Sequence, residues 1–592
     1  MLCSWSSPRR RPLVPMSPMS PGAFQKLLKG LLERDIESHV PNEAGELTPS
    51  DYVLLEEVFG LPLLAYLCAK DELSMREWLV DPHDPDRVTA QGRSVVAGWL
   101  LPLAKSLSTI PQSQRDWGWA IQAAPFGDGH ECWGSALRMQ SGGDLVVVDP
   151  SADHVKDALV RIAVDAFPVL IAPGSMSWDG PSVSLYRHPA RATLLEALRN
   201  DPILVALYGQ EETWGGRRGY MVNSFGEGRT IQDSGFAEEL ILASWDMACM
   251  GTESPGVTEL ASLVERNLDR VREAVGGGAP TVPVKLVFTG FKTRDGLAIP
   301  TPWGRLRPIH DWERSFVPQE LQRSVSGQDD DGKQVLVSLG GEMVLEMLVP
   351  YRVEIGSFPG PGFFDDGKFT AAIRRLAPTR SIEFIRDAVS LALAMSVERP
   401  PGSWVVSRLA WTWRADPMGR GRGISGWYPT SAGPGFMPYE LASHDCEAVQ
   451  RWCELIELHW TAQLDVAVRR LISASDARMN AADQLVDAVV VWEALFGTRQ
   501  GESALRISAA MAWLLADDDI EARTLLRSEI SRIYSERSGI VHGRAHDEAA
   551  TQTVANRALE LARDALKRLM GDRPDLLARD NAERSVHLLL GG

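Results

Sequence analysis

The spacing of apolar residues divides this 592-residue chain into segments of different character. Over 24–282, helical spacing alternates with short apolar runs, and this pattern predicts an α/β region. Residues 51–69 are predicted to form an amphipathic helix that Pro62 kinks or interrupts. Strands are predicted at 145–148 and 169–172, on either side of a helix. Together they predict a strand–helix–strand unit.

Residues 283–440 form a second segment with a stronger preference for sheet. Its runs of β-branched and aromatic residues predict four strands, at 284–288, 335–339, 343–348 and 404–413. A helix over 381–398 is apolar nearly all round, which indicates burial. The glycines at 276–278, followed by Pro280, are predicted to be the linker that precedes this β-rich α+β module.

The third segment, 441–592, has helical spacing throughout and no proline between Pro438 and Pro574. Five helices are predicted, at 444–474, 480–496, 503–515, 520–541 and 548–570, with Gly497 and Gly543 at helix ends. The predicted fold class is therefore multidomain α+β: an α/β region, a β-rich module and an all-α bundle. A disordered leader rich in proline and arginine is predicted over 1–23.

Composition narrows the functional classes. The chain has 61 Lys and Arg residues against 78 Asp and Glu residues, a net charge of −17, which argues against broad coating of nucleic acid. This net charge does not exclude one small site that binds a phosphate chain. The longest apolar stretch is about half of a membrane span, and the leader lacks the apolar segment of a secretion signal. We expect a soluble cytoplasmic protein that contacts no membrane.

The cysteines and histidines predict no metal site. The six cysteines are scattered and include no C-x-x-C pair, so a reducing compartment with free thiols is expected. His444, Cys446, Cys453 and His459 lie close in sequence, but their spacing places them on different sides of a helix. We expect neither a metal nor a cofactor.

The helix predicted over 520–541 carries the best candidate chemistry. Tyr534, Ser538 and His542 recur at four-residue steps and so share one face. Arg537 lies about 140° from His542 on an ideal helix, but its side chain is long enough to swing back. Gly539 weakens this helix by roughly 1 kcal/mol relative to alanine, so something other than helix propensity is expected to favour glycine here, such as the close approach of a partner helix.

An imidazole beside a guanidinium is sufficient to cleave RNA without a metal. Histidine takes a proton from a ribose 2′-hydroxyl or gives one to the leaving 5′-oxygen. Arginine binds a phosphate through two parallel hydrogen bonds and stabilises the developing charge. Taken alone, Arg537 and His542 also fit a simpler interpretation, a surface arginine and a histidine favoured by the helix dipole.

The C-terminal region resembles the Apea-like branch of the HEPN superfamily. The motif Y-x-x-R-S-x-I-V-H-G over 534–543 contains the superfamily's R-x4-H signature. Upstream, 483–496 is similar to the family's acidic start and L-E-x-L ending, with Trp492 in place of the usual leucine. Residues 505–512 are similar to the helix that precedes the motif. The resemblance covers about a quarter of the chain.

This resemblance implies an all-α HEPN-like bundle that often dimerises, with two motifs facing one cleft. In active relatives the cleft is a metal-independent endoribonuclease. By the resemblance, Arg537 would bind the scissile phosphate and His542 would act as general base or acid. Ser538 would occupy the polar position after the arginine, and Tyr534 would line the site. Glu493 would anchor the motif helix, for example by pairing with an arginine.

The expected protein is a defence or toxin-like effector whose N-terminal regions sense or bind a signal. Its C-terminal domain would cleave RNA as a homodimer, with an antitoxin or sensor protein as a further candidate partner. The alternative is a non-catalytic HEPN interaction or dimerisation module on a binding scaffold.

A looser resemblance concerns 297–308, which is similar to a P-T-P-x-G-R-L-R-P stretch found ahead of Apea-like domains. No chemistry is attached to this stretch. Arg305 and Arg307 within it fit packing or surface positions better than a phosphate site.

Overall fold

The computed structural model describes residues 47–590 apart from short internal gaps. The gaps are 82–86, 109–132, 147–149, 174–187, 209–211, 214–215, 317–323, 329–333, 339, 357–366, 379, 398–406, 420–422, 427–437, 477–479, 498–502, 517–518 and 546. The predicted leader over 1–23 lies outside the described residues.

The described chain is helical up to its first strand, β1 (Glu212–Thr213). A π-helical turn at Val96–Leu100 joins two of its seven described helices. These are α1 (Pro49–Leu67), α2 (Glu72–Val80), α3 (Ala90–Val95), α4 (Leu101–Leu107), α5 (Trp133–Gln140), α6 (His154–Leu170) and α7 (Ala190–Asn200). The expected break in α1 is present, at Gly60, which adopts φ 69° and ψ 156° two residues before Pro62.

The prediction of a strand at 169–172 is wrong. Helix α6 continues through Pro168 to Leu170, and Asp153 caps its start by accepting hydrogen bonds from two backbone N–H groups. Most of α6 is buried, so packing of its apolar face outweighs the β-preference of its last residues. The other strand was predicted at 145–148. Residues 145–146 are not in a strand, and 147–148 lie outside the described residues. The strand–helix–strand unit therefore does not form.

A small antiparallel sheet and two helices follow. Strand β2 (Gly216–Asn223) pairs with β1, with β3 (Gly228–Gln232) and with β11 (Val353–Gly356); the helices are α8 (Phe236–Gly251) and α9 (Val257–Val275). The glycines at 276–278 end α9 rather than forming a linker. Gly277 adopts φ 89°, and its N–H and that of Gly278 donate to Ala274 and Glu273 carbonyls.

The centre of the molecule is a six-stranded antiparallel sheet in the order β13-β12-β4-β10-β7-β6. Its strands are β4 (Thr281–Thr289), β6 (Ile299–Thr301), β7 (Gly304–Pro308), β10 (Met343–Pro350), β12 (Arg408–Arg414) and β13 (Ile424–Gly426). Three of the four predicted strands correspond to β4, β10 and β12, and the prediction at 335–339 corresponds to β9 (Gln334–Ser338). The remaining elements are β5 (Phe291–Thr293), β8 (Ser324–Gln328), β9 (Gln334–Ser338), β14 (Tyr439–Leu441), α10 (Asp311–Ser315), α11 (Lys368–Leu376) and α12 (Ile382–Ser396). Helix α12 confirms the buried helix predicted at 381–398.

Each face of this sheet belongs to a different hydrophobic core. Along β10, Val344 packs with the N-terminal helices, whereas Leu345 and Met347 pack with α12 and the C-terminal helices. Successive side chains of a strand point to opposite faces, which produces this division. The core on the N-terminal side contains residues from 52 to 424, so it extends across the predicted domain boundary at 282/283.

Four charged side chains form a charge cluster on the N-terminal face of the sheet; Lys285, Arg307 and Glu313 are buried and Glu346 is partly exposed. The Arg307 guanidinium donates to both oxygens of Glu313 at 2.8 Å and to Glu346 at 2.5 Å. Lys285 pairs with Glu313 and donates to the Met250 carbonyl at 2.6 Å. Burial opposes ionisation of Glu313, but the hydrogen bonds from Arg307 and the charge of Lys285 lower its pKa to about 2. Arg307 is thus a packing residue, and Arg305 is exposed.

We predict that Glu313→Gln destabilises the protein by about 3–5 kcal/mol at neutral pH, because it leaves buried cations without their carboxylate. The pKa of Glu313 is lower in the folded state than its ordinary 4.5. Its contribution is therefore present above pH 4.5 and is lost as the pH falls toward 2. Urea unfolding measures this: the difference in the free energy of unfolding between wild type and variant should be about 2 kcal/mol smaller at about pH 3 than at neutral pH. The control is Glu354→Gln, which removes an exposed pair with Arg375 and should cost under about 0.5 kcal/mol. Equal losses in both variants would contradict a structural role for the cluster.

The C-terminal region is helical. Its helices are α13 (Ser443–His459), α14 (Asp465–Asp476), α15 (Ala481–Phe496), α16 (Ser503–Leu515), α17 (Ile520–Val541), α18 (Glu548–Lys567), α19 (Pro574–Leu577) and α20 (Asn581–Leu589). The prediction of one helix over 444–474 is wrong, because the chain forms two helices there, α13 and α14. The first ends before Trp460, whose indole donates to Asp465 at 2.8 Å. Helix α20 was not among the five predicted helices. Within the described chain, no helix combines the length and apolarity needed to cross a membrane.

Candidate functional site

The candidate site is built on two helices, α15 and α17. Helix α15 lies at the centre of the C-terminal bundle and contacts α14, α16, α17, α18 and α20. Asp519 caps the start of α17 by accepting from the Glu521 and Ala522 N–H groups at 2.9 and 3.1 Å. At its other end, Gly543 adopts φ 81° and the chain reverses. The motif 534–543 therefore occupies the last two turns of α17 and the turn that ends it.

Glu493 of α15 holds two residues of the motif. The Tyr534 hydroxyl donates to its Oε1 at 2.6 Å, and the Arg537 guanidinium lies 3.7 Å from its Oε2. Burial, together with the hydrogen bond to Glu493, raises the pKa of Tyr534 to about 12, so at neutral pH the phenol remains a donor. The contact between Arg537 and Glu493 is long, and the Nε–H of Arg537 has no acceptor among the described residues. This Nε is buried and so is not open to a ligand from solvent, although 22% of the Arg537 side chain is exposed.

His542 and Ser538 lie near the end of α17. His542 is its C-cap residue: its N–H donates to the Ser538 carbonyl at 3.1 Å, and its side chain is exposed. Within the described chain, no polar contact joins its imidazole to Arg537 or Glu493. Ser538 is half-buried. The structure therefore brings Tyr534, Arg537 and Glu493 together and leaves His542 open to solvent beside them.

Within the described chain, the atoms nearest to Gly539 belong to an arginine and not to a partner helix. A Cβ at this position would lie 2.7 Å from the Arg544 Cζ. The Arg544 N–H donates to the Gly539 carbonyl at 2.9 Å, which folds residue 544 back over the helix end. Its guanidinium lies 3.8 Å from Glu536. Arg544, which the sequence analysis did not select, thus adds a cation near His542.

A cleft of about 1110 Å³ adjoins the motif, and we refer to it as the motif cleft. Glu493 and Tyr534 form part of its wall, whereas Arg537, Ser538 and His542 are not among the residues that line it. Three basic side chains face it from other elements: Arg506 of α16, Arg579, and His587 of α20. Sequence reasoning missed these three because only tertiary packing brings them to the motif.

Helix α20 is fixed against the end of α15 by buried hydrogen bonds. Arg584 is buried and donates to the carbonyls of Leu495, Leu576 and Arg579 at 2.6, 2.9 and 3.0 Å. Ser585 donates to the Phe496 carbonyl at 2.5 Å. Carbonyls at a helix C-terminus lack intrahelical donors, and these side chains supply them. Burial lowers the pKa of Arg584 to about 10, so the residue is still charged at neutral pH.

No protein-family model, curated protein or solved structure matches this chain. The resemblance of the C-terminal region to Apea-like HEPN domains therefore stays a prediction, as do the roles it implies. Within the described chain, no cluster of three or more His, Cys, Asp or Glu side chains is placed to hold a metal ion.

We predict that Tyr534→Phe destabilises the protein by about 1–2 kcal/mol, because Glu493 loses a buried donor. Urea unfolding followed by tryptophan fluorescence measures this change. Tyr208→Phe is the matched control, since within the described chain the Tyr208 hydroxyl is buried and has no hydrogen-bond partner. An equal effect in both variants would show that the hydrogen bond to Glu493 contributes nothing.

We predict a larger loss, about 3–5 kcal/mol, for Arg584→Met, which removes the side-chain donor from the carbonyls of Leu495, Leu576 and Arg579, the first two in buried hydrogen bonds. Arg573→Met serves as the control because Arg573 is partly exposed and pairs with Asp575 at 3.0 Å. Thermal unfolding distinguishes the two variants. A shift in midpoint no larger than that of the control would contradict the anchoring role of Arg584.

Proposed function

We propose that the C-terminal helical region is a HEPN-type, metal-independent endoribonuclease in which Arg537 and His542 act on RNA. The observation that carries this proposal is the contrast between the two side chains. Glu493 holds Arg537 in a half-buried position through a 3.7 Å contact, while His542 is exposed at the end of the same helix. Neither group is sealed in the bundle core, where it could not reach a substrate.

The chemistry uses groups that the chain itself supplies. His542 as general base takes the proton of a ribose 2′-hydroxyl, and the 2′-oxygen attacks the adjacent phosphorus. The bond from phosphorus to the 5′-oxygen breaks, and a protonated imidazole supplies a proton to that oxygen. The products carry a 2′,3′-cyclic phosphate and a 5′-hydroxyl. Arg537 stabilises the charge on the phosphoryl oxygens, and Tyr534 and Glu493 position the guanidinium.

We further propose that two copies of the chain form the active site. Helix α17 has 22 residues, of which Ile530, Ile533 and Gly539 are buried. Along it, Ile520, Leu525 and Val541 are exposed by 68%, 73% and 54%. Ile520 and Val541 lie about 60° apart around the helix and are the pair that a second α17 would cover, whereas Leu525 points to another side. In such a dimer one His542 would act as base and the other as acid. This assembly, with a sensor or antitoxin partner at the N-terminal regions, fits a defence or toxin-like role.

One observation favours the alternative function, a non-catalytic interaction module. Arg537 and His542 do not line the motif cleft, and no polar contact joins them within the described part of the chain. If the helical region only dimerises, its motif would stabilise the end of α17 and RNA would remain intact.

We predict that the purified protein cleaves RNA in EDTA and that Arg537→Ala or His542→Ala lowers the rate by a factor of about 10²–10⁴. Gel electrophoresis and end-group analysis of the products measure the rate and detect the cyclic phosphate. Arg532→Ala, an exposed arginine on the same helix, and His444→Ala, an exposed histidine of α13, are the matched controls. Cleavage that survives both motif variants would disprove the proposal, and an absence of cleavage would favour the interaction module.

A further inference from the structure

Basic and acidic side chains are segregated around α17. Six side chains recur every three or four residues along the helix and so share one face with the motif. They are Arg523, Arg527, Ser531, Tyr534, Ser538 and His542. The three glutamates of the helix, Glu521, Glu529 and Glu536, lie at least about 110° from the centre of this face. The motif face of α17 is therefore its basic face.

Helix α16, which packs along α17, presents a matching face. Arg506 and Trp513 lie seven residues apart, about two turns of helix, on one side of α16. At one end of the pair, the Arg523 guanidinium lies 3.7 Å from the centre of the Trp513 ring. At the other end, Arg506 lines the motif cleft together with Tyr534. Both faces therefore lie on the same side of the two helices, and we refer to Arg506, Trp513, Arg523 and Arg527 as the hairpin stripe.

Two cations of the hairpin stripe are open to a ligand. Within the described chain, neither Arg506 nor Arg527 makes a hydrogen bond or an ion pair through its side chain. Arg527 is exposed, Arg506 is half-buried, and Trp513 is 37% exposed although Arg523 lies against its ring. A guanidinium binds phosphate oxygens through parallel hydrogen bonds, and a nucleobase stacks on an indole or a guanidinium. The stripe thus suits a ligand that has both phosphates and planar bases.

Carboxylates also line the motif cleft, but two of them are already engaged. Glu493 accepts from the Tyr534 hydroxyl, and Asp580 accepts from the Glu583 N–H at 2.8 Å. Arg579 faces the same cleft, and its side chain has no partner within the described residues. The remaining carboxylate, that of Glu583, is exposed and makes no ion pair with Arg506 in this part of the chain. Arg506 therefore stays available beside the motif.

We infer that the hairpin stripe binds the phosphate backbone of single-stranded RNA and leads it to Arg537 and His542. This inference rests on the proposed ribonuclease function and names the surface that holds its substrate. From Arg523 to His542 the helix rises about 28 Å. At roughly 3.4 Å per stacked nucleotide, about eight nucleotides cover this length. The ligand is RNA rather than DNA because the proposed reaction needs a 2′-hydroxyl.

The hairpin stripe is compatible with the proposed dimer. Ile520 and Val541 lie near the two ends of α17, about 30 Å apart, and Arg527 lies between them. A second copy that covers both apolar residues places two stripes face to face. Their like charges repel one another unless a polyanion lies between them, so RNA bound there stabilises the dimer as well.

The test uses the full-length wild type and an unstructured ten-nucleotide RNA whose 2′-oxygens are methylated. The proposed reaction cannot cleave this probe, because it lacks the attacking 2′-hydroxyl. Fluorescence anisotropy gives the dissociation constant at several salt concentrations. The double variant Arg506→Gln/Arg527→Gln should bind roughly tenfold more weakly, and its plot of log Kd against log salt concentration should be shallower by about 1.4, since each phosphate contact on a single strand contributes about 0.7. On unmethylated RNA the same variant should raise KM without changing kcat.

The matched control is the double variant Arg532→Gln/Arg76→Gln, which removes the same charge. Both arginines are exposed and unpaired within the described chain, and Arg532 lies on α17 about 140° from Arg527. Binding by the control should stay within about twofold of wild type, because salt screens distant charges. An equal loss of affinity in the control would reduce the effect to net charge and overturn the inference.

The two proposals can fail separately. If the wild type cleaves unmethylated RNA and the stripe variant binds the probe as tightly as wild type, the hairpin stripe is not an RNA site and the nuclease proposal stands. If the stripe variant loses affinity as expected but the wild type leaves unmethylated RNA intact, the stripe binds RNA and the nuclease proposal fails. If the wild type neither binds nor cleaves RNA, both fail. Equally tight binding of polyglutamate would also overturn the inference.

Discussion

The structure depends on the alternation of side chains along the two central strands of its largest sheet. Antiparallel sheets commonly expose one face to water, but here β4 and β10 are covered on both sides. On β4, Val287 packs with the N-terminal helices, while Leu286 and Phe288 pack with α12 and the C-terminal bundle. A shift of one residue in the register would exchange the two faces. The motif helix α17 belongs to the second core through Ile530 and Ile533, so the same register also supports the candidate site.

The charge cluster shows how this doubly covered sheet holds its register. Lys285 and Glu346 lie directly opposite each other on β4 and β10, and Arg307 of β7 reaches both carboxylates of the cluster. A shifted register would bury these charges on the apolar face, without partners. Replacing such a cluster by apolar residues is often neutral for stability, so its contribution here is better understood as specificity of pairing. Lys285 also donates to the Met250 carbonyl at the end of α8. The cluster therefore helps to fix the position of that helix as well as the register of the strands.

The sequence predicted the features that are encoded locally. The bounds of α17 agree with the predicted 520–541, because Asp519 caps its start and Gly543 permits the left-handed conformation at its end. Predictions from local sequence patterns were wrong where packing between distant segments determines the secondary structure. Residues 169–170 have strand preference but finish a buried helix. The contact between Gly539 and Arg544 arises because the chain reverses after α17, which the helical pattern alone does not indicate. The basic residues of the motif cleft come from three separate elements, and no single stretch of sequence indicates that they meet.

Helix α17 is held to its neighbours at two points along its length. Its Glu529 accepts a hydrogen bond from Arg557 of α18, and its Tyr534 donates one to Glu493 of α15 beside the motif cleft. Both contacts are side-chain hydrogen bonds to charged partners, and together they restrain rotation and translation of a helix that has few buried residues. A helix restrained in this way keeps the distance between its two ends fixed. If Arg537 and His542 act on RNA as proposed, this restraint fixes the backbone that carries both side chains before the substrate binds.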